Sequence, residues 1–110
     1  MIEKTISEIE AKIGGAETVT AAHKQELLGL LGKLKAEVSA LEQTHSKEAK
    51  TIADSVQATT REATSKHQNP ESLQTSVAGL RSSVEGFEQS HPQLVQVVNS
   101  FSNMLSNLGI

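Results

Sequence analysis

Eleven positions in the second half of the chain keep one step across a proline: Leu73, Val77, Leu80, Val84, Phe87, His91, Leu94, Val98, Phe101, Leu105 and Leu108. Their 4-3-4-3 spacing is the seam of an amphipathic helix with one side buried against a partner. Pro92 lies inside this ladder. Proline lacks an N–H and clashes with the carbonyl four residues back. The ladder holds on both sides of it, so the chain reads as built to pack helices. Two readings compete at Ser90-His91-Pro92-Gln93: a kink inside one continuing helix, with His91 and Pro92 setting the bend, or a break and restart with a Ser90/Gln93 capping box. The unbroken register favours the kink.

The other segments read as helices too. Ile2, Ile6, Ile9 and Ile13 are spaced 4-3-4. They define a short helix over about 2–13, stopped by Gly14-Gly15 because glycine tolerates the left-handed residue that ends helices. A second helix starts at a Thr18 or Thr20 cap. Its seam reads Leu27, Leu31, Leu34, Val38, Leu41, His45, then Ala49, Ile52, Val56 and Ala63. The change of step after Leu41 is a stutter, which locally unwinds a left-handed supercoil. Residues 43–68 are polar, with neither Pro nor Gly. Good propensities favour helix there over a linker, which extends the second helix over 19–67. Asn69-Pro70-Glu71 is a cap, a first-turn proline and a first-turn acid, and opens a third helix over 70–90. A fourth runs over 92–108, the last two being one kinked helix in the favoured reading, and Gly109 stops it.

These elements predict an all-α single domain over residues 1–110. A long antiparallel hairpin turns near 67–69, so that positions whose numbers sum to about 136 lie level. The first helix folds onto the end rich in Leu27, Leu28, Leu30, Leu31 and Leu34 and makes it a three-helix bundle. The other end is a two-helix extension with coiled-coil-like packing, because wide apolar faces mean two partners and narrow stripes mean one. Small residues fall in stripes: Gly29, Gly32 and Ala36, and Gly79, Ser83, Gly86 and Ser90. They suit close backbone approach within the chain or across a dimer, or simply tolerated surface positions.

Composition narrows the function. The 110 residues hold no Cys, which removes zinc-thiolate sites, disulfides and thiol catalysis. Ten basic and thirteen acidic residues are well mixed at a net charge of −3. No basic block or aromatic platform suits nucleic acid. The N-terminal stretch is charged and amphipathic, without the apolar core of a signal peptide, and a cytoplasmic protein is the expectation. No phosphate loop or nucleophile elbow is present. Residues 89–110 contain no Asp, Glu, Lys or Arg. A solvated helix usually carries charge, so this one is expected at a subunit interface. Membrane-surface binding is the disfavoured rival, since such helices carry Lys or Arg on the polar side.

Two Glu-x-x-His pairs occur, Glu42/His45 and Glu88/His91. Spacing of i,i+3 puts carboxylate and imidazole on one helix face, and such pairs on two helices contribute to ferritin-like di-metal sites. His45 and His91 sum to 136, so the hairpin sets the two pairs level. The remaining carboxylates of such a site are missing, and structural roles for both histidines are the stronger reading: His91 bridging groups freed at Pro92, His45 fixing register. His23, His45 and His67 recur every 22 residues and share a face of one continuous helix.

The tail Phe87-Glu88-Gln89-Ser90-His91-Pro92-Gln93-Leu94, closing with Met104-Leu105-Ser106-Asn107-Leu108-Gly109-Ile110, is similar to the C-terminal signature of a family of short bacterial proteins known as a domain of unknown function. Gln25-Glu26-Leu27-Leu28-Gly29-Leu30-Leu31 resembles that family's E-L-L-x-x-L-L helix more loosely. The resemblance implies a small bacterial helical protein and brings no activity with it. The expectation is therefore a non-enzymatic scaffold, adaptor or accessory protein without a cofactor. It forms a homo-oligomer, dimer or tetramer, or binds another protein, through its apolar seams, with Phe87, Leu94, Val98, Phe101, Leu105 and Leu108 the expected packing and interface residues. A metal-binding bundle and peripheral lipid binding are the alternatives.

Overall fold

The isoleucine ladder at the N-terminus becomes α1, Ile2–Gly14, in a computed structural model that describes residues 2–108. All four isoleucines are at most 3% exposed. The helix stops where expected, with the Gly15 N–H donating to the Ala11 carbonyl at 2.9 Å. It does so without a left-handed residue, because among the described residues only Gly86 has positive φ. Helix α2 runs over Ala21–Glu42, and of the two candidate caps Thr20 is the one used: its hydroxyl accepts from the His23 N–H at 3.3 Å. Helix α4, Pro70–Ser82, starts as its sequence dictates, with the Asn69 side chain accepting from the Glu71 and Ser72 N–H groups.

The helix expected over 19–67 is interrupted at residues 43–45, and α3 occupies Ser46–Thr64. A continuous helix of that length would measure about 73 Å, whereas the longest dimension of the molecule is 37 Å. The interruption is slight. Gln43 keeps helical torsions (φ −64°, ψ −29°), and the His45 N–H still donates to the Leu41 carbonyl at 2.7 Å. The departure is at His45 itself (φ −137°, ψ 63°). Nothing local forces it. Packing decides it: α3 folds back against α2, and also meets α1, α4 and α5. Tertiary contact overrides propensity here.

The second arm breaks as well. Residues 83–91 form turns around Gly86 (φ 94°), and α5 restarts over Pro92–Leu108. Of the two readings at Pro92, break and restart is the one found. Proline takes the first helical position, where its missing N–H costs nothing. The Ser90/Gln93 capping box is not what starts α5. The His91 carbonyl accepts from the Val95 N–H at 3.3 Å, one residue later than that box requires, and the Ser90 hydroxyl contacts the His91 ring instead.

The chain is thus all-α, and the hairpin forms with the expected pairing: α3 lies against α4, and α2 against α5. It is then doubled over at the level of the two breaks, so that α2 also packs on α3 and α4 on α5. Four helices form a closed ring, with α3 touching α5 across it. No two-helix extension remains. Helix α1 fills the groove between α2 and α3 rather than building a three-helix end with α2 and α5. The Gly109 stop lies outside the described residues.

Candidate functional site

Both breaks in the hairpin meet at one cluster. The His45 ring lies 5.5 Å from Phe87 and 6.1 Å from His91, and Phe87 lies 5.6 Å from His91, all edge to face. The level placement of His45 and His91 follows from the hairpin register. Each imidazole is held in the same way. Nδ1 of His45 is 2.8 Å from the Thr44 hydroxyl, and Nδ1 of His91 is 3.0 Å from the Ser90 hydroxyl. Such contacts orient the rings. His45 is exposed, His91 and Phe87 half-buried.

The two glutamates do not join them. The Glu88 carboxylate accepts from the Gly86 N–H at 2.8 and 3.2 Å, closing its own turn. Glu42 lines a shallow depression with Ile2, Ser46, Lys47 and Lys50, on the α1 and α3 side. The i,i+3 argument needs an unbroken helix through each pair, but Glu42/His45 runs from the end of α2 into the first break and Glu88/His91 lies within the turns of 83–91. Among the described residues no three His, Asp or Glu side chains gather closely enough to hold a metal ion. His23, His45 and His67 are all exposed, and the break at 43–45 removes the single helix they would have shared.

Leu94, Val98, Phe101 and Leu105 are completely buried in the chain's own core, and Phe87 and Leu108 pack against it. All six are packing residues here, and the four buried ones are unavailable to a partner while the bundle is closed. The uncharged polar side of α5 is partly explained in the same way. Gln74 donates to the Ser106 hydroxyl at 3.1 Å and Arg81 donates to Asn103, which ties one side of α5 to α4.

The opposite side of α5 is open. Gln93, Gln96, Val97 and Ser100 face Leu30, Lys33, Ala36 and Glu37 of α2 across a groove of about 500 Å³. Gly29 and Gly32 lie on α2 near this groove, and a Cβ built on either meets nothing within 4 Å. The first α2 glycines therefore serve no close approach inside the chain. Lys33 and Glu37 make no ion pair; among the described residues the pairs are Lys50–Asp54 and Lys66–Glu17. Sequence reasoning found the charge gap in α5 but missed Val97, which lies one position off the buried seam. Its signal is the secondary step Gln93, Val97, Ser100, Met104 beside the main ladder.

A family model described as "Domain of unknown function (DUF4404)" matches residues 24–110. The chain belongs to this family. The match spans α3, α4, α5 and nearly all of α2, together with the histidine cluster and the groove, and leaves α1 outside. No curated protein and no solved structure matches the chain.

Proposed function

We propose that this member of the family is a non-enzymatic helical scaffold or adaptor, which associates with a second copy along the outer side of α2 and α5. One observation carries the reading: the open side of α5 has no charge along its length, and it faces Leu30, Ala36 and the unpaired Lys33 and Glu37 of α2. Uncharged helix surface with small neighbours lets another helix approach closely. Lys33 and Glu37 make the surface self-complementary. A two-fold axis near residue 35 sets each lysine opposite the other copy's glutamate, as an isologous interface requires. Lipid is the poorer partner, because the polar side of α5 has no Lys or Arg for anionic headgroups. No helix of the described residues is long and apolar enough to cross a membrane. A cytoplasmic setting belongs to the same proposal.

Absolute mass by light scattering over a dilution series tests it. The wild type should have dimer or tetramer mass at micromolar concentration. Val97→Asp should lower the mass toward the monomer while keeping full helicity. A wild type that is monomeric at every concentration contradicts the proposal.

A further inference from the structure

We infer that two copies of this chain can exchange their α3–α4 halves, opening the doubled-over hairpin at residues 43–45 and 83–91. The inference rests on the proposed self-association, and it uses the buried seams rather than the outer groove. Three observations support it. First, the two breaks lie level, as the His45–His91 ring separation of 6.1 Å shows, so both arms can open about one line. Second, the first hinge is nearly helical already, with helical torsions at Gln43, a helical Leu41–His45 hydrogen bond and no Gly or Pro between residues 33 and 69. Third, residues 83–91 are already turns around Gly86, so the second arm can change direction there without breaking a helix.

An opened hairpin exposes the inner sides of α2 and α5 and of α3 and α4, including Leu94, Val98, Phe101 and Leu105. The surface that covers them best is the one that covers them now, supplied by a second open copy. Each half of the exchanged dimer then repeats the closed bundle, with α1, α2 and α5 from one chain and α3 and α4 from the other. All contacts are retained except those at the hinges, which is why exchange is a low-cost route to dimers. A short hinge loop favours it. Pro92 starts α5 in either state, and residues 83–91 bridge the halves as a loop.

The absence of cysteine makes the test clean. Glu17 and Lys66 lie 3.8 Å apart at their charged ends in the closed bundle. In the exchanged dimer the two positions of one chain lie about 65 Å apart along the straightened arm, while each stays beside its counterpart on the other chain. The Glu17→Cys/Lys66→Cys variant of the 110-residue chain is refolded at high concentration, and its dimer fraction is treated with a short bis-maleimide. Exchange predicts chains joined in pairs on a denaturing gel. Ser46→Pro in the same background, which suits the first position of α3 but forbids a straight helix, should lower the fraction joined in pairs at least tenfold. Thr44→Ala/His45→Ala should raise it. A dimer whose cross-links stay within single chains overturns exchange and leaves the proposed self-association standing. A sample with no dimer overturns both.

Discussion

Helices α3 and α5 are buried on one side by opposite means. Helix α5 carries the large apolar residues of the chain's best seam, yet one of its sides is open to solvent. Helix α3 is polar in composition, with Ile52 and Val56 its only large aliphatics, yet it touches every other helix. Its buried set is Ala49, Ile52, Ala53, Val56, Thr59, Thr60, Ala63 and Thr64. Small side chains let neighbouring axes approach closely, since interaxial distance follows the side chains at the contact. Thr60 and Thr64 behave as small apolar residues because their hydroxyls are satisfied within their own helix, while Thr59 also reaches the Ser76 carbonyl of α4 at 3.1 Å. Thr60 donates to the Val56 carbonyl and Thr64 to the Thr60 carbonyl, both at 2.7 Å. Crowding at the centre of a bundle selects Ala and Thr, and a count of large residues misses it.

Substitutions can break this comparison. The largest effect should come from α5: Phe101→Ala leaves a cavity at a fully buried site and should cost about 3–5 kcal/mol by chemical denaturation. A loss below about 1 kcal/mol would mean that the α5 seam is not the core. Next is Ala53→Leu in α3, where added volume should cost about 1–3 kcal/mol. The same enlargement at exposed Ala58, on the outer side of α3, should change stability by less than about 0.5 kcal/mol. Equal effects at the two alanines would remove the claim that α3 is crowded. The smallest effect is expected for Thr60→Val, within about 1 kcal/mol of wild type in either direction. The lost hydroxyl bond is to a carbonyl of its own helix, so a loss well above that would show that Thr60 has a polar role beyond its turn.

The same contrast explains what could be read from the sequence. Helix α1 was legible through four isoleucines at one spacing, and the start of α4 through Asn69-Pro70-Glu71. The pairing of the two arms was legible too, and with it the meeting of His45 and His91. The fold at 43–45 was not, because no Gly or Pro marks it and the helical bonds nearly continue through it. Its cause is distributed over four neighbouring helices. At Pro92 the ladder pointed to a kink, but spacing reports which residues are buried and not whether the helix between them is intact. The groove was half legible. The missing charge in α5 pointed to cover, and α4 supplies part of that cover through Gln74 and Arg81. Val97 was hidden by its place beside a stronger seam.

Native-state hydrogen exchange, resolved by residue, tests the central claim most directly: that the polar segment α3 is a packed helix held by all four others. The account predicts that amides from Ile52 to Thr60 exchange only through global unfolding, as slowly as those around Phe101. Fast exchange across α3, at the rate of the turns over residues 83–91, would contradict it and make residues 43–68 the linker that their composition also allows.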